Sequence, residues 1–121
     1  PLLDAVDALV ITSDREGMSG SMLEAMSRGV PVLSTDVSGA REALEAETDG
    51  EAPGMVMGST PPQIASAVNS VLYYPELLEE MGSAGERCSR GRFSYEGMLD
   101  AWEAVLYASA VSRDPEVPND P

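Results

Sequence analysis

Two glutamates stand eight positions apart, Glu16 and Glu24, and the first is followed by Gly17, Met18, Ser19, Gly20 and Ser21. An ionised carboxylate can accept hydrogen bonds from two neighbouring hydroxyls. Backbone N–H groups freed by glycine at a helix N-terminus donate to anions, because first-turn amides lack partners within the helix and the helix dipole is positive there. Strand, glycine-bearing loop and helix in this order make the stretch a candidate site for anions and nucleotides. Ser19 and Ser21 fit either as helix caps or as further donors to phosphate.

The rest of the composition removes competing chemistries. The 121 residues include 21 acidic side chains against seven arginines, with no lysine and no histidine, for a net charge of −14. A phosphate-binding P-loop needs its lysine, a Ser-His-Asp triad its histidine, and the common zinc sites histidine or several cysteines. Gly17-Met18-Ser19-Gly20 is no nucleophile elbow, since its second flanking glycine is displaced and no histidine serves as base. The acidic balance is the reverse of a nucleic-acid footprint. No acidic cluster has metal-site spacing, so no metal is expected. The single Cys88 rules out an internal disulfide and reads as a small buried residue on a helix. With no signal peptide and no apolar run near the ~18 residues of a membrane span, a reduced, cytoplasmic setting is expected.

Positioning the Glu16 loop requires a strand before it and a helix after it. Ala8 to Thr12 is a nearly continuous apolar run, as in a parallel strand covered on both faces. The helix after the loop buries Met22, Leu23, Ala25 and Met26 and stops at Gly29, with Pro31 forbidding continuation. Pro31 to Thr35 reads as a second strand, Asp36 to Gly39 as a second loop, Ala40 to Glu47 as a short helix and Gly54 to Met57 as a third strand. Thr60, Pro61 and Gln63 form a capping box with proline at the first helical position. Pro75 opens the next helix, which Gly82 and Gly85 should each weaken by up to ~1 kcal/mol relative to alanine, so an irregular helix is expected there. Ser94 caps a last helix carrying Met98, Leu99, Trp102, Val105 and Leu106. The order predicts an α/β fold: a partial Rossmann-like domain, three-layered, with a short parallel sheet of about three strands and five to six helices. Residues 1–7 read as a short helix with no preceding core element, so the chain is expected to begin mid-domain. Residues 109–121, rich in proline and charge, are expected to be a disordered tail.

The run from Glu16 to Glu42 resembles the E-x7-E signature of retaining GT-B glycosyltransferases of the glycosyltransferase 4 family. The resemblance rests on Glu16-Gly17, Glu24-Ala25-Met26, Gly29-Val30-Pro31-Val32, and Gly39 with Glu42. It continues more weakly to Phe93-Ser94-Tyr95-Glu96-Gly97-Met98 and covers about residues 5 to 108. It implies that residues 1–108 are the carboxyl-terminal, donor-binding half-domain of a hexosyltransferase. Glu16 would then contact the hydroxyls of the donor sugar. The amides of Gly17, Met18, Ser19, Gly20 and Ser21 would approach sugar and diphosphate, and Glu24 would hold the ribose. The donor would be a UDP-sugar or GDP-sugar, bound without metal or other cofactor. The family's basic pair lies upstream of the motif and its histidine in the other domain, and neither has a counterpart in this sequence. An acceptor domain or partner subunit is therefore required for turnover, and membrane-surface contact is expected only through that domain.

Several residues carry a second reading. Ser21-Met22-Leu23-Glu24 is an S-x-x-E capping box in which Glu24 only starts the helix. Taken alone those residues favour capping, and the wider pattern reverses the preference. Asp14 and Arg15 read as solvated loop residues, Arg41 as half of a surface ion pair, and Trp102 as core or interdomain packing. Asp36, Ser38 and Gly39 sit in the neighbouring crevice loop, able to line the site or merely turn the chain. The alternative from another class is a non-catalytic Rossmann-like subunit that binds a nucleotide sugar or serves assembly. The lysine-free, acidic composition also suggests a high-salt or arginine-favouring source. Salt adaptation predicts a melting temperature higher in molar salt than in dilute buffer, and equal values in a thermal scan would remove it.

Overall fold

The computed structural model describes residues 2–45 and 50–111. A 3-10 turn, Leu2–Ala5, leads into β1 (Leu9–Ile11), α1 (Gly20–Ser27), β2 (Val32–Thr35), α2 (Ala40–Leu44) and β3 (Gly54–Met57). Three further helices follow: α3 (Pro61–Tyr73), α4 (Pro75–Arg90) and α5 (Tyr95–Val111). The three strands form one parallel sheet in the order β1-β2-β3, with Leu9 opposite Val32 and Val32 opposite Gly54. Every residue of the central strand is buried. That is why β2 reads as apolar Val32-Leu33 with two small hydroxyl residues rather than as an alternating strand.

Successive β2 side chains serve opposite layers. Val32 packs with Met22, Ala25 and Met26 of α1, Ala40, Ala43 and Leu44 of α2, and Cys88 of α4. Leu33 packs with Met57 and with Ala67 and Val71 of α3, joined by Leu78 and Met81 from the start of α4. Helix α4 thus contributes to both layers, its first half against α3 and its second against α1.

Local signals account for most boundaries. Helix α1 ends in a Schellman motif: Gly29, at φ +67°, donates to Met26 O at 3.0 Å and Val30 donates to Ala25 O at 2.9 Å. At the start of α3, Gln63 Oε1 accepts the Thr60 N–H at 3.2 Å and the Thr60 hydroxyl at 2.7 Å. Ser94 Oγ accepts the Gly97 N–H at 3.2 Å and caps α5. Helix α2 is shorter than the sequence suggested, because Glu45 turns extended at φ −73°, ψ 145°; residues 46 and 47 lie outside the described residues. Helix α5 continues to Val111, three residues into the stretch expected to be disordered, while the rest of that expectation, 112–121, lies outside the described residues.

Two expectations are corrected. Gly82 and Gly85 do not make α4 irregular; the helix is continuous from Pro75 to Arg90, and both glycines are buried. A Cβ at Gly82 would overlap the Gly29 carbonyl oxygen, and one at Gly85 would stand 3.3 Å from Met26 Cα. Glycine is used here so that α4 can cross the end of α1 backbone to backbone. Trp102 is not in the core of this chain: it is 60% exposed, and α5 buries no residue.

This crossing gives a sign test. Were Gly82 only a weak helix residue, Gly82→Ala would stabilise by up to ~1 kcal/mol. The overlap with backbone instead predicts destabilisation of about 2 kcal/mol or more, read as a lower urea midpoint, with Gly85→Ala milder.

Candidate functional site

The seven residues singled out for ligand contact lie beyond the carboxyl end of β1, where open α/β sheets bind ligands. Their loop is held from beneath. Thr35, at the end of β2 and buried, donates its hydroxyl to the Ser13 carbonyl at 2.6 Å. Gly39, N-cap of α2 at φ +83°, lies under the loop so closely that a Cβ there would be 3.1 Å from Met18 Cα and 3.2 Å from Gly17 O and Met18 N. Both the left-handed backbone and the contact with main chain demand glycine at 39.

Glu16 is half-buried. Its Oε1 accepts the Ser13 hydroxyl at 3.1 Å, whereas its Oε2 is buried and takes no hydrogen bond among the described residues. A buried acceptor left unmatched costs roughly 1–3 kcal/mol, more when charged. Glu16 Oε2 is thus a buried carboxylate oxygen whose acceptor capacity the described residues leave unused.

The amides after Glu16 are correspondingly open. Ser19 is the N-cap of α1, but no side chain caps the helix and no acidic residue occupies its first turn. The Ser19 and Ser21 hydroxyls bond each other at 2.9 Å. Gly17 and Gly20 differ from Gly39 in kind: neither has positive φ, and a Cβ at either would meet nothing within 4 Å. The fold does not need glycine at these positions.

The capping alternative for Glu24 is removed, since the N-cap is Ser19 rather than Ser21. Glu24 is exposed on the fifth residue of α1, about 6 Å along the axis from the first, and among the described residues its carboxylate has no hydrogen bond or ion pair. Asp14 and Arg15 are exposed. Arg41 bonds Asp36 at 2.6 Å and lies 3.6 Å from Glu45; the Asp36 hydrogen bond first, and its charge second, hold the guanidinium above its ordinary pKa. It is the surface ion pair expected from its acidic surroundings.

Sequence reasoning missed the role of the third strand end. A cavity of about 380 Å³ opens over the carboxyl ends of all three strands, lined by Ser13, Asp14, Thr35, Asp36, Met57, Gly58, Ser59 and Gln63. The available signal was a hydroxyl residue at or just past each strand end, Ser13, Thr35 and Ser59. Among the described residues no group of three or more histidine, cysteine, aspartate or glutamate side chains is placed to hold a metal ion. No helix among them is long and apolar enough to cross a membrane.

Comparison with known proteins finds matches in sequence and in fold. The pattern of the family described as glycosyl transferases group 1 matches residues 1–73. D-inositol 3-phosphate glycosyltransferase of Geodermatophilus obscurus is 37% identical over 106 residues, which are 88% of this chain and 22% of that protein. The lipopolysaccharide core biosynthesis glycosyltransferase LpsE of Rhizobium meliloti is 30% identical over 106 residues, 88% of this chain and 30% of that protein. The chain thus spans less than a third of the length of these relatives. In fold it is similar to sucrose-phosphate synthase of Thermosynechococcus elongatus, with TM-score 0.78 and 21% identity over 93% of this chain and 27% of that one. It is equally similar to Anabaena HepE in complex with UDP, with TM-score 0.78 and 21% identity over 88% of this chain and 29% of that one.

The two kinds of glycine should separate in a stability assay. Gly39→Ala should lower unfolding free energy by about 2 kcal/mol or more. Gly17→Ala and Gly20→Ala should stay within about 1 kcal/mol of the parent chain in urea titrations.

Proposed function

The chain belongs to the group 1 glycosyl transferases, and we propose that it is the donor-binding part of a retaining GT-B enzyme of the glycosyltransferase 4 type. The observation that carries this reading is the surface over Gly17 and Gly20, glycine where the fold has no use for it, beside a buried Glu16 oxygen without a partner. Such a surface admits a ligand to main-chain distance and offers an acceptor at its edge.

In this reading Glu16 accepts from the sugar hydroxyls and fixes the sugar. The amides of Gly17, Met18, Ser19, Gly20 and Ser21 face the diphosphate, and Glu24 accepts from the ribose. As the glycosyl bond breaks, charge grows on the leaving diphosphate, and amides already aimed there stabilise it without reorganising. The chain's part in catalysis is thus positioning and electrostatics. Within this chain, which has no lysine or histidine, the donors at the loop are backbone amides. The donor is a UDP- or GDP-hexose taken without metal, in the cytoplasm, and the acceptor is held by a further domain or partner subunit. HepE, of the same fold, was crystallised with UDP and glucose, which supports this class of ligand.

A second reading, an assembly subunit, draws on the exposed Met98, Leu99, Trp102, Val105 and Leu106 of α5 and on Val10 of edge strand β1, 41% exposed. Calorimetric titration separates the two. The donor reading expects Glu24→Ala to weaken nucleotide and nucleotide-sugar binding alike, about tenfold. Folded protein that binds no UDP- or GDP-sugar favours assembly. Transfer of sugar by the 121-residue chain alone at ordinary enzyme rates would contradict the need for an acceptor domain.

A further inference from the structure

We infer that Ser13 is a positioning residue for the donor sugar, acting through Glu16. The inference rests on the donor-site reading and adds a residue that neither the motif nor its spacing identifies. Ser13 lies two residues beyond β1, half-buried and at the rim of the cavity over the strand ends. Its main chain is pinned by the 2.6 Å bond from Thr35 Oγ1. Thr35 is itself fixed, because its carbonyl accepts both the Ser34 hydroxyl at 2.9 Å and the Val37 N–H at 2.8 Å. The end of the central strand therefore sets where the Ser13 hydroxyl stands.

That hydroxyl has one proton to donate, and it is spent on Glu16 Oε1 at 3.1 Å. The consequence is asymmetry in the carboxylate. Oε1 is engaged within the protein, and Oε2 remains a buried acceptor without a partner among the described residues. Without the Ser13 proton both oxygens would be under-satisfied, and the carboxylate would be free to rotate toward solvent about its terminal torsions. Ser13 thus determines which Glu16 oxygen meets the sugar and holds it in place before the ligand arrives.

A direct role for Ser13 on the ligand, or a purely structural one, makes different predictions. The test compares UDP and GDP with UDP-glucose and GDP-mannose on the full chain, using Ser13→Ala, Ser13→Thr, Glu16→Gln and the Ser13→Ala/Glu16→Gln double variant. Ser13→Ala should weaken sugar-nucleotide binding about tenfold while leaving the free nucleotide unchanged, and Ser13→Thr should restore it. In the double-mutant cycle the double variant should bind no more weakly than Glu16→Gln alone. Equal losses for nucleotide and sugar nucleotide with a lowered melting temperature would mean a structural role, and additive losses in the cycle a direct contact; either overturns the inference. Unaltered binding by Ser13→Ala overturns it while leaving the donor site standing. A parent chain that binds none of the four ligands overturns the donor-site reading and the Ser13 role together.

Discussion

Two loops at the carboxyl edge of the sheet touch main chain to main chain, Gly39 beneath Gly17 and Met18, and the geometry of the site depends on that contact. A side chain at 39 would lift the first loop from the second and move each amide that follows Glu16. The Thr35 to Ser13 bond fastens the same loop at its start. The central strand therefore positions the site twice, through its last residue and through the turn after it. Because β2 is buried along its whole length, the reference frame is the most protected part of the molecule.

The fold was largely legible because its signals are local and independent of packing. Short apolar runs between loop residues gave three strands, and the Thr60, Pro61, Gln63 and Ser94 signals gave helix starts within a residue or two. The failures are failures of locality. Gly82 and Gly85 look like weak helix positions until the carbonyl of Gly29 and the Cα of Met26 are seen against them, and no rule over neighbouring residues contains that crossing. The capping alternative for Glu24 rested on Ser21 standing three before it, and it falls because the N-cap is Ser19, two residues earlier. Trp102 was read as core or interdomain packing, and its 60% exposure removes the first of these within this chain; apolar type at helical spacing cannot say to which chain or domain a partner surface belongs. At the candidate site, Glu16 and the loop glycines were singled out by type and spacing, whereas the bond from Thr35 to Ser13 spans 22 residues of sequence and emerges only from tertiary geometry.

Charge shapes the chemistry in a way the motif alone does not express. A chain of net charge −14 repels anions at long range, an effect that falls off within about 10 Å at 0.1 M salt. Within the described residues, favourable potential for an anion then comes from short-range, directed donors. The described ion pairs spend most of the arginines on carboxylates: Arg28 with Asp4, Arg41 with Asp36, Arg87 with Glu51, Arg90 with Glu86 and Arg92 with Glu42. The open first turn of α1 supplies the remaining favourable potential, and it is oriented by the fold rather than by a flexible cation.

Helix α5 shows where the cooperative unit ends. Seventeen residues long and with none of them buried, it draws little of its stability from the sheet, and an isolated helix of about that length is marginal in water. Its amides should therefore exchange with solvent far faster than those of β2, opening and closing without the core taking part. Among the described residues the buried core stops short of α5, and an apolar surface laid against these seventeen residues would shift their local equilibrium toward helix.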